Sequence, residues 1–347
     1  MAMHDESVWR ILDANANRGI EGLRVVEEYV RFVLDDAHLT HLYKHLRHDL
    51  VSVLAKLPET MRLANRDTTQ DVGTSIATAA EYERLDLAHV VAANQKRVEQ
   101  SLRSLEEFAK LIDPNVAREF EALRYRAYTL AKALSGTEQA SLRLAEATLY
   151  VLVDGRSSAD EFTATARELV DAGVDMIQLR DKTLGDRQLL ERARQLRQIT
   201  WETKTLFVMN DRPDLAVLSR ADGVHVGQDE LSVKDARAIV GTRMLIGVST
   251  HSIEQARAAV LAGASYIGCG PTFPSTTKAF DAFPGLDYLR QVAAEIRLPA
   301  FAIGGITDEN LSAVLATGIR RVALRGQLSN STDLRQNVTR LREMLAK

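Results

Sequence analysis

Cysteine is almost absent from this chain of 347 residues: Cys269 stands alone. No internal disulfide can form, and a reducing, cytoplasmic setting is the expectation. An excess of one charge is lacking too. The 44 basic and 47 acidic residues leave a net charge of −3, which supplies no field for nucleic acid. No apolar run approaches the roughly 18 residues that a membrane helix needs. The opening stretch MAMHDESVWR has no apolar core of the kind a secretory signal carries. Nucleic-acid-binding, membrane, secreted and disulfide-stapled classes are therefore not expected.

Glycine and proline are scarce in one part of the chain only. Of 19 glycines, Gly19, Gly22, Gly73 and Gly136 precede residue 148 and the other 15 follow it. Five of the seven prolines also lie in the later part. Few breakers imply long helices, and frequent breakers imply short strands and turns. At roughly 150 residues per domain, the length allows about two domains. The expectation is an all-α domain over 1–140 and an α/β domain over 148–347, joined near Leu134–Glu146, with Ser135-Gly136-Thr137 as a helix stop.

In the later part, short apolar runs alternate with stretches of helical period. The runs are Thr148–Asp154, Met176–Asp181, Leu206–Asp211, Gly223–Gly227, Leu245–Thr250, Tyr266–Gly270, Pro299–Gly305 and Arg321–Gly326. Each is rich in Val, Ile or Leu, as a strand buried on both faces should be. The helical stretches include Glu161–Ala172, Asp186–Thr200, Val233–Val240, Ile253–Ala262, Asp287–Glu295 and Glu309–Ala316. Eight such units predict a parallel (β/α)8 TIM barrel. The alternative is a doubly wound open sheet, but no GxGxxG follows the first run.

A barrel of this type carries its active site at the C-terminal ends of the strands. The polar residues gather at those positions: Gln178, Arg180, Asp181 and Lys182; Asn210 and Asp211; His225, then Gln228, Asp229 and Glu230; Ser249 and Thr250. One charged strand end would mean only contact with water. Several in succession, of both signs, point to a site. Arg180, Lys182 and Lys278 suit phosphate groups. Asp211 with Asp229 or Glu230 would repel a phosphate unless a hard cation lay between, and Mg²⁺ takes one or two carboxylates plus phosphate oxygens. Gly304-Gly305 at the end of the seventh run and Arg325-Gly326 at the end of the eighth fall where barrels commonly bind phosphate. A tight turn explains paired glycines equally well. His225 has no obvious serine nucleophile partner in the sequence, and orienting a substrate and simple packing both remain open for it. These residues imply displacement of pyrophosphate by a second phosphorylated molecule.

The motifs Gln178-Leu-Arg-Asp-Lys182, Met209-Asn-Asp211, Ala221-Asp-Gly-Val-His-Val-Gly-Gln-Asp-Glu230, Gly247-Val-Ser-Thr-His251, Gly270-Pro-Thr-Phe-Pro-Ser-Thr-Thr-Lys278 and Ile303-Gly-Gly-Ile306 resemble those of the thiamine-phosphate synthase (thiamine-phosphate pyrophosphorylase) family. That resemblance implies a transferase of thiamine biosynthesis. Such an enzyme joins 4-amino-5-hydroxymethyl-2-methylpyrimidine diphosphate to 4-methyl-5-(2-phosphoethyl)thiazole in a dissociative, Mg²⁺-dependent reaction that releases pyrophosphate. It further implies that Gln178, Arg180, Lys182, Asn210, Ser249 and Lys278 hold the pyrimidine diphosphate, with Arg180, Lys182, Ser249 and Lys278 catalytic. By the same resemblance Asp211 and Glu230 bind the metal, and Ser275, Thr277, Gly305, Arg325 and Gly326 hold the thiazole phosphate. The family usually has Asp at the position of Glu230, which leaves Asp229 as a rival ligand. It has a small apolar residue and Ser where Arg325-Gly326 stand, which leaves the role of Arg325 open. A thiazole tautomerase-like barrel with a non-catalytic helical oligomerisation domain is the rival reading, and the oligomeric state stays open.

The first part carries an internal repeat. Ala14, Asn15, Arg18, Leu23, Arg24, Glu27 and Glu28 recur 79 residues later as Ala93, Asn94, Arg97, Leu102, Arg103, Glu106 and Glu107. Two related helical hairpins about a pseudo-two-fold are predicted. Helical period puts Asn15, Gly22, Val26, Tyr29 and Val33 on one face with Arg18 at its edge. Buried Arg–Glu pairing that specifies the bundle, or a pocket for an anionic small molecule, would follow. His41 and His45 have metal-ligand spacing, but a polar stripe explains them better. Asp13, Asn15, Asn17, Arg18, Glu21–Glu27 and Arg66-Asp67-Thr68 resemble the helical module fused upstream of some thiamine-phosphate synthases. That likeness implies a hydroxymethylpyrimidine phosphate kinase-like role; a scaffold is the alternative.

Overall fold

A computed structural model describes residues 2–69, 71–72, 83–274, 283–325 and 333–346. The chain divides into two compact units, Met1–Leu134 and Ser135–Lys347.

The first unit contains α1 (Ala2–Tyr29), α2 (Ala37–Leu54), α3 (Glu59–Ala64), α4 (Leu87–Ala109) and most of α5 (Pro114–Arg143). Aspartates cap two of the starts: Asp36 accepts from Leu39 N at 2.7 Å and Asp86 from His89 N at 2.8 Å. The repeat is visible in the packing of α1 on α4. A Cβ on Gly22 would meet Val98 Cγ2 at 2.9 Å, and one on Gly19 would meet the Ser101 Cβ at 3.5 Å. Adding 79 to Gly22 gives Ser101, and adding it to Gly19 gives Val98. The two contacts therefore exchange under the repeat, as a two-fold requires.

The ion pairs repeat as well. Arg24 bonds Glu27 and Glu28, and Arg103 bonds Glu106 and Glu107. The buried Glu27 is held by Arg47 at 2.7 Å and the buried Glu106 by Arg124 at 2.7 Å.

Two expectations for this unit need correction. Arg18 and Arg97, expected on or beside the stripe, are exposed; among the described residues the buried charges of this unit are Asp13, Glu27, Asp36, Glu106 and Arg124. Val33 is 51% exposed, because residues Val30–Leu34 form a π-helical turn after α1. A wider turn rotates the following side chains off the 3.6-residue face. The predicted stop at Ser135-Gly136-Thr137 is also absent, since α5 runs on to Arg143. One interior glycine costs about 1 kcal/mol in a helix. Leu134 and Leu144, both fully buried, anchor this stretch.

The second unit is a closed parallel barrel of β1 (Leu149–Val153), β2 (Met176–Leu179), β3 (Leu206–Asn210), β4 (Gly223–Val226), β5 (Leu245–Thr250), β6 (Tyr266–Cys269), β7 (Ala300–Ile303) and β8 (Val322–Arg325). Its helices are α6 (Ala159–Asp171), α7 (Asp186–Thr200), α8 (Pro213–Leu218), α9 (Val233–Val240), α10 (Ile253–Ala262), α11 (Gly285–Glu295), α12 (Leu311–Leu315) and α13 (Leu334–Leu345). The α/β class and the barrel are as the alternating pattern predicts.

Side chains alternate across each strand. Tyr150, Leu152, Met176, Val208, Leu245, Tyr266, Phe301 and Ala323 turn inward and form one packed core. Leu144 and Ala147, just before β1, join that core at its N-terminal end, where Arg321 Nη1 bonds their carbonyls at 3.0 and 2.7 Å. The barrel floor is thus shut and apolar.

Candidate active site

The same period of two carries polar side chains to the other end of the barrel. Above Met176 in β2 come Gln178 and then Arg180; above Val208 in β3 comes Asn210; above Gly247 in β5 comes Ser249. Register sets them side by side, with Asn210 beside His225 and Ser249 beside Gly268. Gln178, Arg180, Lys182, Asn210, Asp211, Ser249 and Arg325 therefore stand at the C-terminal mouth. Ser275, Thr277, Lys278 and Gly326, also expected at the site, lie outside the described residues.

The β2–α7 turn is built around Asp181. Its Oδ1 accepts from Thr183 N and Thr183 Oγ1, each at 2.7 Å, and from Leu184 N at 2.9 Å. Its Oδ2 accepts from Gly155 N at 2.9 Å. Burial would raise its pKa, but these four hydrogen bonds outweigh it and hold the carboxyl down at about 2. The clamp fixes the turn that carries Lys182.

Lys182 Nζ lies 3.7 Å from Asp211 Oδ2, and Asn210 Nδ2 donates to the same oxygen at 2.7 Å. Asp211 takes a left-handed backbone at φ 58°, pinned by its N–H donating to His225 O at 2.8 Å. Burial depresses the Arg180 pKa, with Arg325 reinforcing that shift and Asp211 and Glu230 opposing it. Both signs of charge thus act on one guanidinium. Glu230, exposed, folds back over Gly227, where a Cβ would lie 2.2 Å from its Oε2.

A cavity of about 540 Å³ opens over the ends of β1, β2 and β8, and Arg156, Arg180, Lys182 and Arg325 line it. Asp154, Glu161 and Asp181 share the lining, so four cations face three carboxylates and the hollow carries a small positive excess that suits an anion. The nearby glycine pair is locked as a turn. Gly304 and Gly305 have φ of 98° and 64°, and a Cβ on Gly305 would lie 2.7 Å from Pro274 O. Asn310 Nδ2 secures the turn by donating to Gly305 O at 2.9 Å.

Sequence reasoning missed Arg156, and it missed a polar line inside the barrel in which Ser249 is the serine partner that His225 was not expected to have. His225 Nε2 is 2.9 Å from Ser249 Oγ, and His225 Nδ1 is 3.2 Å from Tyr266 Oη. Tyr266 Oη is 3.0 Å from Tyr150 Oη, to which Gln178 Nε2 donates. Burial, aided by the charge of Arg180, pushes the His225 pKa down to about 4, so the ring is neutral at pH 7. Burial also raises both tyrosine pKa values, which keeps them phenols. Gly247 makes the space: a Cβ there would lie 2.1 Å from Tyr266 Cζ and 2.5 Å from His225 Nδ1. Inward alternation of Tyr150 and Tyr266 was the available signal.

Fold and mouth together define a (β/α)8-barrel enzyme. Residues 149–328 match the thiamine monophosphate synthase family model, and residues 10–133 match the ThiD2 family model. A thiamine-phosphate synthase of Rhodopirellula baltica is 48% identical, with 98% of this chain and 93% of that protein covered. One from Synechocystis is 38% identical over 98% of this chain and 97% of its own length. Among solved structures, thiamine phosphate pyrophosphorylase from Pyrococcus furiosus matches at 33% identity and a TM-score of 0.53, covering 59% of this chain and 98% of that one. The chain belongs to the thiamine-phosphate synthase family of transferases, with an N-terminal ThiD2-type module. Among the described residues, no helix is long and apolar enough to cross a membrane.

Proposed function

We propose that the barrel condenses 4-amino-5-hydroxymethyl-2-methylpyrimidine diphosphate with 4-methyl-5-(2-phosphoethyl)thiazole, giving thiamine phosphate and pyrophosphate. The observation that carries this reading is the convergence of Gln178, Arg180, Lys182, Asp211 and Ser249 on one mouth, with Lys182 and Asp211 3.7 Å apart. Arg180, Lys182 and Ser249, with Lys278, hold the diphosphate and take up the charge that grows on the leaving group. The C–O bond of the pyrimidine methylene breaks with its electron pair leaving on pyrophosphate. The electron-rich aminopyrimidine stabilises the resulting cation, and the thiazole nitrogen donates its pair to form the C–N bond. Gln178 and Asn210 orient the pyrimidine, and Gly305, Arg325 and Gly326 with Ser275 and Thr277 receive the thiazole phosphate.

Among the described residues, no group of three His, Cys, Asp or Glu side chains converges as a cage. Asp211, with the exposed Glu230 or Asp229, offers one or two carboxylates. That donor set fits Mg²⁺, which completes its shell with water and phosphate oxygens. When bound, Mg²⁺ would neutralise the diphosphate and favour its departure. Full activity in Lys278→Ala or Asp211→Ala, assayed as Mg²⁺-dependent thiamine phosphate formation, would sink this reading. Supplying the whole chain with pyrimidine monophosphate, ATP, thiazole phosphate and Mg²⁺ tests the helical unit. Product formed without added diphosphate identifies it as a kinase, and absence of product leaves the scaffold.

A further inference from the structure

Five side chains from five strands form an unbroken line across the barrel: Gln178 (β2), Tyr150 (β1), Tyr266 (β6), His225 (β4) and Ser249 (β5). The direction of each hydrogen bond follows from what each group can do. Gln178 presents its amide N–H to Tyr150 Oη, so that oxygen accepts. Tyr150 and Tyr266 are buried, with relative exposures of 2% and 0%, so each hydroxyl hydrogen needs an acceptor within the line. Tyr150 satisfies this only by donating to Tyr266, and Tyr266 only by donating to His225 Nδ1. A ring whose Nδ1 accepts carries its proton on Nε2. His225 therefore donates to Ser249 Oγ, and the hydroxyl hydrogen of Ser249 is left for whatever sits in the mouth.

We propose that Tyr150, Tyr266 and His225 are positioning residues, a one-way hydrogen-bond relay that holds Gln178 as an acceptor and Ser249 as a donor towards the ligand. The opposite polarity needs a flipped Gln178 amide, an Nδ1–H tautomer and a Ser249 hydroxyl spent on His225. The two ends are thus coupled: the amide orientation at Gln178 fixes the role of Ser249 on another strand. A ligand that offers an amino N–H at one end and an anionic oxygen at the other satisfies both. An aminopyrimidine diphosphate is such a ligand, and in this respect the inference rests on the proposed function.

The tautomer is read without any substrate, so its outcome is separate from that of the proposed reaction. Long-range ¹H–¹⁵N correlation on the full chain with ¹⁵N-labelled histidine should show His225 as the neutral Nε2–H form at pH 7. An Nδ1–H ring or an imidazolium overturns the relay. Tyr266→Phe removes the link while keeping the ring. It should abolish the fixed tautomer and lower kcat about tenfold, the effect of one hydrogen bond. It should also erase the coupling between Gln178→Ala and Ser249→Ala in a double-mutant cycle. Unchanged kcat and undiminished coupling in Tyr266→Phe overturn the relay. Should that variant fail to fold, the wild-type tautomer decides alone.

Discussion

Replacing Asp181 by asparagine tests how the mouth is held in shape. Both carboxylate oxygens accept, Oδ1 from Thr183 and Leu184 and Oδ2 from Gly155. An amide turns one of those two acceptors into an NH2 donor, so in either orientation an N–H faces an N–H. The carboxyl titrates at about 2 against an ordinary 3.8. A displacement of that size corresponds to about 2.4 kcal/mol at pH 7. Screening of a partly exposed group reduces it to about 1–2 kcal/mol. The sign follows from the depressed value. The stabilisation is fully present above pH 4 and is lost as pH falls through about 2, with roughly half gone by pH 3. Asp181→Asn should therefore lower the unfolding free energy at pH 7 by about 1–2 kcal/mol in urea titrations, and the gap to wild type should roughly halve at pH 3. Because the clamp carries Lys182, kcat/KM for the diphosphate should fall about tenfold. A gap of the same size at both pH values, or none at pH 7, refutes the argument.

Further outcomes follow from other parts of the structure. Gly247→Ala should be among the most damaging single-methyl changes in the barrel, costing about 3 kcal/mol or more by overpacking against Tyr266 and His225; thermal unfolding reads it. Arg325→Ala should raise KM for the thiazole phosphate several-fold while leaving KM for the diphosphate less affected, and equal effects on both would assign Arg325 to the shared cavity wall instead. Asp211→Asn should shift the Mg²⁺ concentration for half-maximal rate upward by at least tenfold, read by titrating the metal in the condensation assay. In the helical unit, Glu106→Gln leaves the buried Arg124 without its charged partner and should cost about 3–5 kcal/mol in calorimetry or denaturant unfolding.

The barrel was legible because its strands are buried on both faces, which gives runs such as LFVMN and YIGC a signature that needs no tertiary information. The charged strand ends were legible for the same reason: they interrupt those runs. What stayed hidden depends on distant partners. The role of Tyr150 is set by Tyr266, 116 residues away, and no local pattern links the two. Arg18 sits at the edge of an apolar stripe in a helical projection. The buried acids Asp13, Glu27 and Glu106 are charged residues inside the bundle, and only their arginine partners make them tolerable there. Gly136 has the look of punctuation, yet the packing of Leu134 and Leu144 carries the helix through it.

The shut floor of the barrel has a kinetic consequence. Leu144 and Ala147 close the N-terminal end with apolar surface, so traffic runs through a single doorway. Under the proposed function both substrates and both products share that mouth, and pyrophosphate still seated there would compete with the next diphosphate for the same cations.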